Sequence, residues 1–394
     1  MQSKSSFINR SDLFLIGWVV YYLQGILYEE GGLVSTALLG LLLLVSLLYF
    51  FKTIQLSLPV YFKGLNILLL MFTIYGAFHI ISNPGTIHYR ASGFTLESYE
   101  YLKEIWLSLL PIYPFYYFSR KGYINEDKMK IWFYVFLISC TLTFFRSQRD
   151  AILVRGVEEV TNNSGYLLLS LLPGLVLFQR KTIMQFVLMT FIMALIFIGM
   201  KRGAILIALI TLPMLLWRSF TMATKKQKYV FIVLVASFIY LGVSFIKYQM
   251  QTSEYLMLRI LETEAGESSG RDSLYGFFIH YFFNQDSFFA FLFGNGANAT
   301  INIFENYAHN DWLEIAINQG LVGVVIYVIY WISFFYTWKK SSNYSIKLGL
   351  AIMFVVLLTK TFFSMSYGNM SYVSTCILGF FLAHFRDDVK CSRL

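Results

Sequence analysis

Apolar residues fall in runs of roughly 16–22 along this chain, each closed by a short polar stretch. A helix rising about 1.5 Å per residue needs a run of that length to cross a bilayer core about 30 Å thick. The pattern predicts spans at 13–28, 33–51, 60–82, 102–118, 130–146, 164–179, 183–200, 203–217, 229–247, 321–338, 346–363 and 372–385. Pro111 and Pro114 are expected to kink the fourth span, and Pro173 the sixth. No small-residue cleavage site follows the first apolar run, which reads as an uncleaved span. The expected architecture is an all-α polytopic membrane protein of about twelve transmembrane helices, a single integral membrane domain over 1–394.

One polar segment, 248–310, is too long for a plain connector. Glu254 to Arg259 mixes charges with apolar residues, and Glu262 to Gly270 is acidic and flexible. Ser269-Gly270-Arg271-Asp272 then opens an apolar helix, Leu274 to Phe283. Phe288 to Phe293 is strongly apolar and ends at Gly294-Asn295-Gly296, a turn. Asp311, with Glu314 three residues on, reads as a helix start of the capping-box kind. That helix ends at Gln319-Gly320 after about nine residues, roughly 13 Å and too short to cross. It is expected to lie at the interface, or to re-enter, and to run into the span beginning near Leu321.

Composition agrees: 57% of the 394 residues are hydrophobic and 13% charged, with a mean hydropathy of +0.60. A soluble domain carries about 25% charged residues. The abundant Tyr and Phe suit a lipid boundary, with Tyr113, Phe115, Tyr116, Tyr117 and Phe118 at a span end. The net charge of +9 does not point to nucleic acid, because most basic residues lie in span connections. With the N-terminus inside, about 20 of the 31 basic residues fall on inner segments. An even span count puts the C-terminus inside too, and the 248–310 loop outside. Cys140 and Cys376 lie in apolar runs and Cys391 in the tail, so no disulfide and no metal site is expected.

Some cations oppose this topology. Arg146, Arg149 and Arg155 crowd one outer loop, Lys201 and Arg202 make an outer turn, and Lys247, Arg259 and Arg271 lie in the long loop. A polyanionic ligand at the outer face would explain them; so would the tolerance of translocation for a few cations. Three positions carry candidate chemistry. His309 precedes a helix start, and an imidazole, with its unperturbed pKa of about 6.5, suits a general base, unless this one is only an interfacial or capping residue. Arg202, beside Lys201, opens a helix whose free N–H groups favour anions, unless it is a snorkelling anchor. Arg271 repeats that arrangement, unless it pairs with Asp272. His280 is expected to pack, and Lys360 to snorkel. No P-loop, dinucleotide fingerprint, nucleophile elbow or metal spacing occurs.

Lys201-Arg202-Gly203, then Gly270-Arg271, then His309-Asn310 ahead of Glu314 and Gly320-Leu321-Val322-Gly323, occur in an order that resembles the O-antigen ligase and O-antigen polymerase family of bacterial surface-polysaccharide assembly. The resemblance covers about residues 160–340; Lys201 departs from the small polar residue that relatives often show. It implies a metal-independent glycosyltransferase of C-type architecture, needing no cofactor, at the periplasmic face of the bacterial inner membrane. The donor would be an oligosaccharide on undecaprenyl diphosphate, and the acceptor a glycan or lipid-linked sugar. Arg202 and Arg271, with Lys201, would hold the diphosphate. His309 would activate the acceptor hydroxyl, supported by Asn310, Asp311 and Glu314. A chain-length regulator or flippase would be a natural partner. Between polymerase and ligase the balance leans slightly to polymerase. The competing class is a flippase or other secondary transporter, which would carry ionisable residues near the bilayer midplane.

Overall fold

The computed structural model describes residues 9–88, 95–155, 162–229, positions 232, 233, 235–237, 240, 244 and 247, and residues 271–304 and 306–385. The expected span 229–247 lies largely outside the described residues, as do 248–270 and Glu305. Almost all the described elements are helices; the exception is an antiparallel pair, β1 (Thr86–His88) and β2 (Thr95–Glu97). Among the described residues six helices are long and apolar enough to cross a membrane: Leu33–Ile54, Val60–Ser82, Glu126–Leu153, Arg202–Thr221, Asp311–Lys339 and Tyr344–Phe363. Each coincides with an expected span. Gly165–Phe178, Thr182–Ile198 and Tyr372–Ala383 are shorter apolar helices. The chain divides into two compact units, one of residues 1–21, 31–125 and 273–394, the other of 22–30 and 126–272.

The first unit begins with α1 (Arg10–Tyr22), where Asn9 Oδ1 accepts from the N–H of Ser11 and Asp12. The next helices are α2 (Leu33–Ile54) and α3 (Val60–Ser82). The expected fourth span is two helices, α4 (Glu100–Leu109) and α5 (Ile112–Arg120), broken at Pro111 as anticipated. Pro114 sits in the first turn of α5, where a missing N–H costs no hydrogen bond. The aromatic run was expected at the lipid boundary, but Tyr113, Phe115, Tyr116 and Phe118 are buried. Their rings interlock with those of Phe14, Phe50 and Phe62, so this cluster is core.

The second unit holds α6 (Glu126–Arg155), α7 (Gly165–Leu169), a 3-10 turn at Leu172–Phe178, α8 (Thr182–Ile198) and α9 (Arg202–Met222). Pro173 opens the 3-10 turn, the expected break in the sixth span. Helix α6 runs past its expected end at 146, so Arg146 and Arg149 lie on a helix, not in a loop, and Arg155 closes it. Asn162 ties the segment before α7 in place. Its Nδ2 donates to Phe144 O at 3.0 Å, its N–H to Gly199 O at 2.8 Å, and its Oδ1 accepts from Ser147 Oγ at 2.9 Å.

The chain continues through α10 (Arg271–Phe283), which belongs to the first unit from Ser273 on, and then, in the first unit, α11 (Phe288–Phe293), α12 (Ala299–Phe304), α13 (Asp311–Lys339), α14 (Tyr344–Phe363) and α15 (Tyr372–Ala383). Helix α13 is two helices in series. Gly320 has φ +68 and ψ −165, so a helix of 311–319 gives way to a spanning helix from Leu321, as the Gln319-Gly320 boundary predicts. Helix α3 runs antiparallel to the spanning half. Tyr61 OH and Tyr330 OH are 3.0 Å apart, and Tyr61 N–H donates to Thr337 Oγ1. Gly64 allows this approach, since a Cβ there would lie 2.3 Å from Ser333 Oγ.

Candidate functional site

The helix of 311–319 is the centre of the candidate site in the first unit. Its cap is Asn310, not Asp311 as expected: Asn310 Oδ1 accepts from the N–H of Trp312 at 2.9 Å and of Leu313 at 3.3 Å. The reason is position. An N-cap side chain serves the N–H groups two and three residues on, which frees Asp311 to point elsewhere. Glu314 does not close a capping box. It reaches past the cap, and Ala308 N–H donates to its Oε1 at 2.5 Å. Thr300 Oγ1 donates to its Oε2 at 2.7 Å and Asn318 Nδ2 at 3.3 Å.

Asp311 is fully buried and gathers three donors: Ser366 N–H at 2.7 Å, Tyr367 N–H at 3.3 Å and Tyr327 OH at 2.6 Å. It thereby fastens the loop 364–371, between α14 and α15, to the start of the 311–319 helix. Lys360 does not snorkel as expected. It is buried, and its Nζ donates to Asn369 O at 2.8 Å within the same loop. The carbonyl satisfies one of the ammonium's donors, and the Asp311 carboxylate in its neighbourhood opposes its charge.

His309 stands between these two anchors. Its φ is +53, left-handed backbone that few non-glycine residues adopt, and it is half-buried. Glu314 holds the residue before it and Asn310 caps the helix after it, so the strained conformation is fixed from both sides.

The far end of the short helix is closed by the expected Gly294-Asn295-Gly296 turn. Asn295 N–H donates to Ile317 O at 2.9 Å and Gly296 N–H to Asn318 O at 3.0 Å, satisfying carbonyls that a helix end leaves open. Gln319 Nε2 donates to Tyr101 OH at 3.0 Å. Beneath the helix, Leu274, Phe278 and Phe282 of α10 pack with Ala308, Ala316 and Ile317. Their spacing of four residues places them on one helix face. His280, expected to pack, is exposed on the other side and lies 3.0 Å from Asn284 Nδ2 through its Nδ1.

In the second unit, Lys201 is the N-cap of α9 and Arg202 its first residue, exposed. Met200 before them has φ +52. Arg271 opens α10 with Asp272 beside it in the first turn. Arg146 is not a cation held ready for an anion. It pairs with Glu30 at 2.5 Å and Asp150 at 3.5 Å, and also donates to Gln24 O. Arg149 pairs with Asp150 at 3.0 Å. Carboxylates in the same unit have taken both.

Sequence reading missed Thr300, Tyr327, Ser366 and Tyr367. The polar segment Ser364–Ser371 between two apolar spans was the signal available for the last two. No family model matches this chain, and no curated protein matches it.

Proposed function

We propose that this protein is a metal-independent glycosyltransferase of the O-antigen ligase and polymerase type. It would move an undecaprenyl-diphosphate-linked glycan onto an acceptor sugar at the periplasmic face of the bacterial inner membrane, with both termini cytoplasmic. The observation that carries this reading is the clamped, left-handed His309, half-buried and flanked by Glu314 and Asp311. A histidine whose strained backbone is held by Glu314 on the residue before it and by the Asn310 cap after it is suited to preorganised acid–base chemistry.

In the proposed reaction the acceptor hydroxyl oxygen bonds to the anomeric carbon and its proton passes to His309. The bond from that carbon to the diphosphate oxygen breaks, and its electron pair leaves with the diphosphate. Charge grows on that leaving group, which Arg202 and Arg271 would bind, with Lys201 adding a further cation. Polymerase and ligase differ only in the acceptor, and the slight lean to polymerase stands.

A transporter is the second reading, and the buried Asp311 and Lys360 favour it, since ionisable residues inside a helix bundle often mark transport pathways. Detergent solution separates the two. The purified chain, given a glycan on undecaprenyl diphosphate and an acceptor, should release undecaprenyl diphosphate and form a longer glycan. A transporter has no product to make there, and absence of both products with every acceptor tried would overturn the enzyme reading.

A further inference from the structure

The end of the first unit remote from His309 is basic. The spanning half of α13 carries the chain there from Leu321 to Lys339 and Lys340, and Tyr61–Tyr330 places the start of α3 alongside. Tyr49 and Tyr117, 5.1 Å apart, bring the last turns of α2 and α5 together at this end. Lys52 Nζ lies 4.9 Å from the Tyr49 ring centre, and Lys121 Nζ 6.0 Å from that of Tyr117. The Phe118 ring lies 6.0 Å from that of Phe14 and 4.6 Å from that of Tyr49, which brings the start of α1, where Arg10 stands, to the same end. Neither Lys52 nor Lys121 makes an ion pair among the described residues. Asp12 is the acidic residue of the first unit described at this end, and it is buried against Asn9; Glu126 and Asp127, which follow Lys121 in the chain, pair with Lys130. The other acidic residues described in this unit, such as Glu97, Glu100 and Asp286, belong to other segments.

A second observation says what meets these cations. Leu41, Leu44, Leu48 and Phe51 are each more than half exposed. Their spacing lines them along one side of α2, and the row ends beside Lys52. Two lysines braced on tyrosine rings at the foot of an apolar strip match a molecule with an anionic head and hydrocarbon tails. A free phosphate would use the cations and leave the strip without a role.

We propose that Arg10, Lys52 and Lys121, on Tyr49 and Tyr117, form a binding site for the phosphate of an anionic phospholipid, whose acyl chains lie along the Leu41–Phe51 face of α2. Each cation near an anionic headgroup adds to the attraction. Cation–π bracing holds the flexible lysine stems and reduces what binding must order. The site is independent of the proposed chemistry, so it stands or falls without it.

The test is native mass spectrometry of the full chain in detergent, given equimolar phosphatidylglycerol and phosphatidylcholine with the same acyl chains. Wild type should retain phosphatidylglycerol several-fold over phosphatidylcholine. Lys52→Gln with Lys121→Gln should lose that preference, Lys52→Arg with Lys121→Arg should keep it, and Lys339→Gln with Lys340→Gln should leave it intact. Equal retention of the two lipids by wild type, or an undiminished preference in the Gln pair at the first site, would overturn the proposal. Displacement of phosphatidylglycerol by excess inorganic phosphate would overturn it too, by making the ligand a free anion.

Discussion

Gly294 and Gly320 meet backbone to backbone. A Cβ on Gly320 would lie 2.4 Å from Gly294 N, and a Cβ on Gly294 would lie 2.4 Å from the carbonyl carbon and oxygen of Asn318. Both have positive φ, +77 and +68. The contact lets the Gly294-Asn295-Gly296 turn cap the helix that begins after His309. Gly294→Ala or Gly320→Ala combines a clash with left-handed strain and should destabilise by about 2 kcal/mol or more. The thermal midpoint in detergent should fall for either one, whereas Gly296→Ala, where a Cβ meets nothing within 4 Å, should cost only the φ strain. Unchanged midpoints for the first two would mean that the turn and the helix separate readily.

Asp311 organises a loop more than fifty residues further along the chain. Asp311→Ala leaves two N–H groups and the Tyr327 hydroxyl without their acceptor, and removes a carboxylate from the neighbourhood of Lys360. Breaking a buried charged network of this kind costs about 3–5 kcal/mol. Tyr327→Phe removes a single donor and should cost about 1–2 kcal/mol. Chemical denaturation of the two variants should rank them in that order; a Tyr327→Phe loss as large as that of Asp311→Ala would put the hydroxyl, not the carboxylate, at the centre of the network.

The parts that were legible in the sequence rest on local signals. Pro111 and Pro173 fall where helices break, Gly320 ends one, and Gly294-Asn295-Gly296 makes the turn its glycines suggest, although Pro213 stays inside α9. Six of the expected spans are long apolar helices among the described residues. What stayed hidden depends on distant partners. Asp311 looked like a cap because its neighbours resemble a capping box, and only the fold brings Ser366 and Tyr367 to it. Arg146 looked free because Glu30, which neutralises it, lies 116 residues away in sequence. Tyr113 and Phe115 looked interfacial, since the sequence of a helix end does not show which other helices cover it.

Arg202 and Arg271 both open helices, where backbone N–H groups and a guanidinium can share one anion. Arg202→Ala and Arg271→Ala should abolish glycan transfer while the protein still accumulates in the membrane. Arg271→Lys should recover little, because an ammonium lacks the bidentate fork. In vitro transfer with purified variants is the measurement; full activity in either Ala variant removes that arginine from the mechanism.

The proposed orientation can be tested at two exposed positions of the first unit, Asn369 in the loop after α14 and Lys340 at the end of α13. In a background with the native cysteines replaced, Asn369→Cys should react with a membrane-impermeant maleimide in intact, outer-membrane-permeabilised cells. Lys340→Cys should react only after lysis. The reverse pattern would put His309 on the cytoplasmic side and exclude a periplasmic reaction.

His309 separates stability from activity in a way few substitutions can. Its φ of +53 suits glycine better than histidine, so His309→Gly relieves backbone strain while it loosens the unfolded chain. The two effects oppose each other, and the thermal midpoint should move little. Transfer should nonetheless fall by roughly 10²–10⁴-fold, the usual scale for loss of a general base. His309→Asn, which tolerates left-handed backbone and keeps a polar side chain, should be equally inactive because it cannot accept the proton at working pH. Binding of a lipid-diphosphate donor should persist in both, since the arginines are assigned that task. Near-normal transfer by the Asn variant would make His309 a turn residue only. The base would then have to be sought elsewhere, and neither Asp311 nor Glu314 is well placed for the role, because donors already occupy their oxygens.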